Sequence, residues 1–168
     1  MRMEVPEENM KVKEIMSHPV RTCSESDTLD RAARLMWEHN VGAIVVEADG
    51  RVRGLITDRD ISLAGRFTGR PLWTIPVSEV MSVNVEVVRS HDSVDIAERL
   101  MRTRQIRRLP VVDDSWKLVG FLSLDDLARE SRQRHGRRRA AVGADHVGAT
   151  LAAICERYGA SSPPILPF

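Results

Sequence analysis

Two stretches of the sequence repeat a pattern of residue types that could bind a small molecule. Gly54–Asp60 reads GLITDRD and Gly120–Asp126 reads GFLSLDD. Each has a glycine, two apolar residues, a hydroxyl residue and, three positions after the hydroxyl, an aspartate. The hydroxyl and aspartate pairs are Thr57 with Asp60, and Ser123 with Asp126. Each pair either binds a ligand or only begins a helix.

Helix capping explains the pattern from local structure alone. In a capping box, a Ser or Thr side chain accepts a hydrogen bond from a free helix N–H. An acid three residues later accepts one from the backbone N–H of that Ser or Thr. Both pairs fit this arrangement, although Glu or Gln is the usual acidic partner. Local chemistry therefore leaves capping open as a full explanation.

A nucleotide site would use the same geometry. The first turn of a helix presents unpaired N–H groups and a partial positive charge, which suit a phosphate. A hydroxyl there can donate to a phosphate oxygen, and an aspartate one turn later can accept both protons of a ribose diol. The glycine at the start of each preceding strand permits close backbone approach. These groups predict a binding site rather than a catalytic one.

Both stretches belong to an internal repeat. Val12–Val46 aligns without gaps on Val77–Val111 at an offset of 65 residues, and one extra residue in the second turn makes the later offset 66. The identities include Met16/Met81, Asp27/Asp92, Asp30/Asp95, Arg34/Arg99, Leu35/Leu100 and Met36/Met101. A repeat of this kind predicts a fold built from two copies of one unit.

Each copy predicts the element order β-α-β-β-α. A short extended piece (Val20–Cys23, Val85–Val88) precedes a helix whose apolar residues recur at intervals of three and four. Asp27 and Asp92 are the expected N-caps of these helices. A hairpin and a second helix follow. Because a unit of about 60 residues cannot cover its own sheet, we expect an α+β fold with the two units packed by a pseudo-twofold.

The repeat also predicts the domain boundaries. We expect an N-terminal segment (1–11), two repeats (12–66 and 77–131), a linker with Gly and Pro (67–76), an arginine-rich loop (132–144), and a C-terminal helix and tail (145–168). Val147, Leu151, Ile154 and Tyr158 form one apolar stripe of that last helix. We expect the helix to dock on the two repeats or on a dimer mate.

The opening motif V-x-E-h-M-S (h, apolar), the RRLPVVDD segment and the doubled G-h-h-[ST]-x-x-D phrase, in this order, resemble a tandem pair of cystathionine-β-synthase (CBS) domains, or Bateman module. The resemblance extends from Val12 to Arg129. It implies two intertwined βαββα units with two clefts between them, and a homodimer. It also implies regulatory binding of AMP, ADP, ATP, NAD or S-adenosylmethionine, with no catalytic residues and no cofactor.

The resemblance assigns candidate ligand-binding residues in three groups. The ribose ligands are Asp60 and Asp126, beside the phosphate-side hydroxyls of Thr57 and Ser123. The candidates for phosphate charge are Arg59, Arg107 and Arg108. The strand segments expected to contact adenine contain Val20, Arg21, Thr22, Ala43, Ile44, Val85, Val87, Leu109 and Pro110.

The two copies differ near these residues. Gly42-Ala43 in the first copy corresponds to Arg107-Arg108 in the second, and Leu124-Asp125 stands where Asp58-Arg59 stands. Asp125 adds negative charge next to Asp126. We therefore expect unequal sites, one of which is empty or prefers a less charged ligand.

Composition limits the other classes of function. The chain has 168 residues, 42% hydrophobic and 29% charged, which is typical of a soluble globular protein. From its acidic first residues and the lack of a long apolar run, we expect no signal peptide and no membrane-spanning helix. Two separated cysteines and five histidines without metal-ligand spacing predict no metal site. We expect a cytoplasmic protein with no membrane partner.

The residues 132–139 hold five arginines, and the rest of the chain is acidic, with 20 basic against 24 acidic side chains. No recognition-helix pattern accompanies this segment, and this argues against sequence-specific DNA binding. A salt-sensitive contact with nucleic acid is left as an alternative. A ligand-free scaffold in which both phrases only cap helices is another alternative. The regulated partner is unknown, and Trp37 is a candidate dimer contact.

Overall fold

The computed structural model describes residues 10–133 and 144–156. It contains two three-stranded sheets, in each of which the first strand pairs parallel with the second and the second pairs antiparallel with the third. The strands are β1 (Thr22–Cys23), β2 (Ala43–Ala48), β3 (Arg51–Thr57), β4 (Val88–Arg89), β5 (Arg108–Val112) and β6 (Leu118–Ser123). The helices are α1 (Leu29–His39), α2 (Asp58–Thr68), α3 (Val94–Arg104), α4 (Leu124–Gln133) and α5 (Ala144–Cys155). The predicted α+β fold of two βαββα repeats with a C-terminal helix is confirmed.

The first helix of each repeat begins one residue later than expected. Thr28 and Ser93 occupy the N-cap positions of α1 and α3, and the Thr28 hydroxyl accepts from the Arg31 N–H at 3.3 Å. Asp27 and Asp92 were wrong as N-caps because their carboxylates accept backbone N–H groups three residues earlier, at 2.7 and 2.8 Å. Each aspartate therefore closes the turn that leads into its helix.

The opening segment of each repeat packs into the other half of the molecule. Met10 and Val12 are buried in the core formed by β4–β6, α3 and α4, whereas Ile75 and Val77 are buried in the core formed by β1–β3, α1 and α2. The predicted linker 67–76 is therefore not only a connecting loop, since Ile75 is wholly buried. We call the part of the molecule with β1–β3, α1 and α2 the first half, and the part with β4–β6, α3 and α4 the second half.

Backbone hydrogen bonds hold the exchanged segments in register. The N–H and C=O groups of Ser17 bond to those of Phe121 in β6, at 2.8 and 3.0 Å. The equivalent groups of Ser82 bond to those of Leu55 in β3, at 2.9 and 3.0 Å. Each half is thus closed by backbone from the other copy of the repeat, and the two copies are intertwined.

The C-terminal helix α5 docks on α3 and α4 of the second half. Ile154 and Thr150 are buried there, and the Gln105 side-chain amide donates to the Ala153 carbonyl at 3.1 Å. The predicted apolar stripe was wrong at Leu151, which is 45% exposed. The helix turns Val147, Thr150 and Ile154 toward the second half instead, and Tyr158 lies outside the described residues.

Two other expectations concern exposed or undescribed parts of the chain. Trp37, the candidate dimer contact, is 87% exposed on α1. Most of the arginine-rich segment, residues 134–139, lies outside the described residues. Among the described residues, no helix has the length and apolarity needed to cross a membrane.

Candidate functional site

Two cavities lie where the halves meet. Cleft A is lined by Ser17, Pro19, Val20, Arg21, Asn40, Val41, Gly42, Ala43, Val45, Arg108, Phe121, Ser123, Asp125, Asp126 and Arg129. Cleft B is lined by Leu55, Thr57, Ser82, Asn84, Val85, Glu86, Ile106, Arg107 and Arg108. Each encloses about 240 Å³, a little below the roughly 300 Å³ at which small-molecule pockets commonly begin. A nucleotide would therefore fill either cleft and extend to its mouth.

The two clefts are copies of each other under the repeat. Ser17, Val20 and Val41 of cleft A align with Ser82, Val85 and Ile106 of cleft B. Likewise, Ser123 of cleft A aligns with Thr57 of cleft B. Each cleft takes its hydroxyl motif from one repeat and its strand-side wall from the other. A molecule bound in either cleft would therefore contact both repeats.

In the first motif, the hydroxyl and the aspartate form the predicted capping box. The Thr57 N–H and hydroxyl both donate to Asp60 Oδ2, at 2.9 and 2.6 Å, and the Asp60 N–H donates to the Thr57 hydroxyl at 3.3 Å. Within the described residues, Asp60 Oδ1 accepts no hydrogen bond. The cap therefore uses one carboxylate oxygen and leaves the other available. Unlike Asp126 in cleft A, Asp60 does not itself line cleft B, which this motif reaches through Thr57.

In the second motif, the same box has two further partners. The Ser123 N–H and hydroxyl donate to Asp126 Oδ2 at 2.8 and 2.6 Å. Asp126 Oδ1 accepts from the Ser17 hydroxyl at 3.1 Å and from Arg129 Nη1 at 3.3 Å. Asp126 lines cleft A and is 5% exposed, and its carboxylate is held by residues from both repeats.

The predicted adenine-contacting segments divide into two groups. Val20, Arg21 and Ala43 line cleft A, and Val85 lines cleft B. Thr22, Val87 and the buried Pro110 line neither cleft, and the side chains of Ile44 and Leu109 are buried in the cores. Ile44 and Leu109 each follow a cleft residue along a strand, where successive side chains point to opposite faces.

The predicted phosphate-binding arginines also differ in position. Arg107 lines cleft B and Arg108 lines both clefts, whereas Arg59 is exposed on the first turn of α2 and lines neither. Arg21 and Arg129 add two more guanidinium groups to cleft A. Although Asp125 and Asp126 both line cleft A, its arginines outnumber them. The side chains of cleft A therefore carry a net positive charge despite the second acid.

Sequence reasoning did not identify Ser17, Ser82 or Arg129 as site residues. Ser17 and Ser82 are the last residues of the repeated V-x-E-h-M-S motif, so an identical hydroxyl in both copies was the available signal. Arg129 follows Asp126 by three residues on α4, which places the two side chains on one helix face. Both features were readable, but only the exchange of segments brings Ser17 to Asp126.

The glycines of the two motifs accommodate protein rather than ligand. A Cβ atom at Gly120 would overlap Met16 Sδ, and one at Gly54 would lie 2.8 Å from Met81 Sδ and 2.9 Å from the Ser82 carbonyl oxygen. The expectation that these glycines permit close approach of backbone to a ligand is corrected here. They make room for the methionine of the exchanged segment.

Two ionisable groups outside the clefts have shifted pKa values. Burial, reinforced by Asp27, raises the pKa of the Cys23 thiol to about 11, so this cysteine stays protonated and unreactive at neutral pH. Burial raises the pKa of Glu98 at the contact between α3 and α5. Within the described chain, no three His, Cys, Asp or Glu side chains are grouped so that they could hold a metal ion.

Comparison with known proteins follows the architecture. The CBS domain family matches residues 12–65 and 77–133. The CBS domain-containing protein YhcV of Bacillus subtilis is 47% identical over 117 residues, which cover 70% of this chain and 82% of YhcV.

Two solved structures share the fold and contain ligands. The CBS domain pair of protein MJ0100, in complex with 5′-methylthioadenosine and S-adenosyl-L-methionine, is 28% identical, covers 72% of this chain and 94% of its own, and has a TM-score of 0.65. The CBS domain protein PAE2072 from Pyrobaculum aerophilum, complexed with AMP, is 25% identical, covers 85% of this chain and 98% of its own, and has a TM-score of 0.66. With two copies of the motif, two intertwined repeats and these matches, the chain belongs to the CBS-domain family.

Proposed function

We propose that this protein is a regulatory module that binds adenosine-containing ligands in clefts A and B. The first candidates are AMP, ADP and ATP, and the second are NAD and S-adenosylmethionine. The observation that carries the proposal is the split use of the carboxylate in each capping box. One oxygen closes the helix, and in Asp60 the other oxygen has no partner among the described residues. Each box borders a cleft, through Ser123 and Asp126 in cleft A and through Thr57 in cleft B, and a helix cap alone does not need such a cavity.

The ligand would contact three kinds of group in each cleft. The ribose diol would donate to Oδ1 of the aspartate, which is an acceptor with two lone pairs. Asp126 lines cleft A, and a ligand in cleft B would reach past Thr57 to Asp60. A phosphate would lie at the helix N-terminus, near the Arg108 guanidinium in either cleft and near Arg129 in cleft A. The base would lie against the strand-side wall that holds Val20 or Val85. In cleft A, the diol would displace Ser17 or Arg129 from Asp126.

The relatives support the ligand class. The solved structure of PAE2072 contains AMP, and that of MJ0100 contains 5′-methylthioadenosine and S-adenosyl-L-methionine. All three ligands share the adenosine part and differ in charge. We therefore take adenosine recognition as the common element and propose that charge selects among ligands.

The regulatory mechanism would be linkage. Because each cleft takes residues from both repeats, a ligand that fits one arrangement of the halves better than another shifts the population toward it, by the ratio of its affinities. The shifted arrangement would be read by a cytoplasmic partner protein, through a homodimer of the module. Ligand occupancy would in this way report the adenine nucleotide pool.

A thermal-shift series tests the proposal against the ligand-free scaffold. A ligand present at 100 times its dissociation constant stabilises the folded state by about 2.7 kcal/mol. The unfolding temperature should therefore rise with AMP, ADP, ATP, NAD or S-adenosylmethionine in a concentration-dependent way, and stay unchanged with ribose or inorganic phosphate at the same concentration. An unchanged unfolding temperature with all five ligands would favour the scaffold.

A further inference from the structure

One arginine lines both clefts. Arg108 begins β5, where it pairs with Ser123 in the antiparallel register, and its side chain contributes to the walls of clefts A and B. Among the residues that the structure describes, no other lines both of these clefts. Arg108 is therefore within the walls of both candidate ligand sites.

The repeat does not supply a second arginine of this kind. Arg108 aligns with Ala43, and Arg107 aligns with Gly42. The small residues of the first copy leave the space that Arg108 occupies, since a Cβ at Gly42 would lie 2.9 Å from Arg108 Nη2. The two clefts therefore share the Arg108 side chain, which has no equivalent arginine in the first copy of the repeat.

Within the described chain, no carboxylate forms an ion pair with Arg108. The nearest acid to the same point is Asp58, whose Oδ2 would lie 3.3 Å from that Cβ of Gly42, yet the two side chains form no salt bridge. By contrast, Arg129 is engaged by Asp126 at 3.3 Å and Glu86 of cleft B is engaged by Arg104 at 2.8 Å. Arg108 is half-buried, and its charge is available to an anion in either cleft.

We propose that Arg108 couples the two clefts because its guanidinium binds the anionic ligand in one cleft at a time. This inference rests on the proposed function. A phosphate in cleft A draws the guanidinium toward cleft A, so a second anionic ligand in cleft B binds without it and next to an already neutralised charge. The coupling is reciprocal by linkage. A neutral adenosine recruits no guanidinium, and its two binding steps are independent.

The experiment compares stepwise binding with single-cleft binding by isothermal titration calorimetry of the full chain. Asp60→Asn and Asp126→Asn each weaken one cleft, so their titrations with AMP give the dissociation constant of the remaining cleft. The two single-cleft dissociation constants give the stepwise constants expected for independent clefts. In the wild type, the second AMP should bind at least about fivefold more weakly than this expectation, a typical size for coupling between sites. In Arg108→Gln, the stepwise constants should equal those expected for independent sites.

Two control arginines and one control ligand make the test specific. Arg107→Gln changes cleft B alone and Arg129→Gln changes cleft A alone, so both should keep the coupling factor while weakening one cleft. Adenosine titrated into the wild type should show no coupling.

Independent binding of two AMP molecules to the wild type overturns the inference, and so does coupling that persists in Arg108→Gln. A wild type that binds only one AMP overturns it as well. If AMP and adenosine both fail to bind, the proposed function itself is wrong and this inference falls with it.

Discussion

A carboxylate has two oxygens, and the first motif uses them differently. Asp60 Oδ2 accepts from the Thr57 N–H and hydroxyl, whereas Oδ1 has no partner among the described residues. The two explanations of the repeated phrase, helix cap and ligand site, are therefore compatible in one side chain. Any test must remove one role and keep the other.

Asp60→Asn makes that separation. The single amide oxygen can still accept the cap bonds, while the NH₂ group replaces the free acceptor with a donor. We expect the free energy of unfolding to change by less than about 1 kcal/mol. Nucleotide affinity at cleft B should fall about ten- to a hundredfold, because a hydrogen bond to a charged group contributes about 1.5–3 kcal/mol. Calorimetry and urea denaturation measure the two quantities.

A matched control is Thr28→Ala, which removes the cap of α1, a helix whose cap lines neither cleft. It should lower stability by about 1 kcal/mol and leave nucleotide affinity unchanged. Wild-type affinity in Asp60→Asn would show that the aspartate only caps its helix.

The sequence was sufficient to identify both hydroxyl and aspartate pairs, because their spacing is local to one helix turn. It was not sufficient for the Ser17 contact with Asp126, which joins residues 109 positions apart. Arg108 posed a related difficulty. Its type suggested phosphate binding, but its place between two clefts depends on how the halves pack.

Between the elements, the exchanged segments are fixed by methionines packed over glycines. Met16 covers Gly120 in β6, and Met81 covers Gly54 in β3. Close packing leaves no volume for a Cβ at these glycines. The intertwining of the two repeats therefore depends on one glycine in the third strand of each sheet, β3 and β6.

Gly120→Ala should destabilise the protein by about 1–3 kcal/mol, because the added methyl group overlaps Met16 Sδ and overpacks the contact. Met16→Ala should offset much of that loss in the double variant, giving a coupling energy above about 0.5 kcal/mol. Urea denaturation of the four proteins measures the cycle.

Gly148→Ala is the control, since nothing lies within 4 Å of its Cβ position on α5. It should stabilise the helix by up to about 1 kcal/mol. Additive effects of Gly120→Ala and Met16→Ala would contradict the packing described for the exchanged segment.

The contact between α3 and α5 contains a buried carboxylate. Glu98 is 2% exposed, its Oε1 has no hydrogen-bond partner in the described structure, and its Oε2 lies 3.9 Å from His146 Nδ1. Burial raises its pKa, and Asp95 acts in the same direction, whereas His146 and Arg102 oppose the shift. The folded protein therefore binds this proton more tightly than the unfolded chain.

The sign of the pH dependence follows from that shift. A carboxyl group with a raised pKa contributes stability that is complete below its unfolded pKa, near 4.5, and is lost as pH rises through the folded pKa. Glu98→Gln removes the charge and should make the protein more stable at pH 7.5 by about 1 kcal/mol. This is the order of the free-energy cost of a buried polar group without a hydrogen-bond partner. The gain should shrink at pH 5.

Chemical denaturation at both pH values checks this expectation. Glu156→Gln, at an exposed position just after α5, should change stability equally little at each pH. A gain in Glu98→Gln that is the same at pH 5 and pH 7.5 would rule out titration of Glu98 as its cause.

The order of the elements was predictable, since apolar periodicity and turn residues are local signals. The N-caps were missed by one residue, because an aspartate before a helix can close a turn as well as cap it. The orientation of α5 was missed for a different reason. Its composition permits several faces, and the partner surface on α3 and α4 selects the one with Thr150.

In the whole molecule, the pseudo-twofold makes two similar clefts and a few residues make them unequal. Arg21 and Arg129 stand in cleft A where the repeat places Glu86 and Leu63 in the other copy. Cleft A is therefore the better candidate for a ligand with several negative charges. The expectation of inequality came from the sequence, but its direction required knowing which wall faces which motif.

Internal repetition was enough to predict two units packed against each other, because neither copy can cover its own sheet. It could not indicate that each opening segment closes the opposite half. That exchange determines the composition of both clefts, since it brings Ser17 to the second motif and Ser82 to the first. Long-range pairing of this kind leaves no local trace in the chain.

A crystal structure of the protein grown with saturating AMP tests the account most directly. We expect AMP in cleft A, with its ribose hydroxyls within hydrogen-bond distance of Asp126 Oδ1 and its phosphate beside Arg108 or Arg129. The bonds from Ser123 to Oδ2 should persist. AMP bound away from both clefts, or clefts that stay empty at saturating AMP, would contradict the central claim.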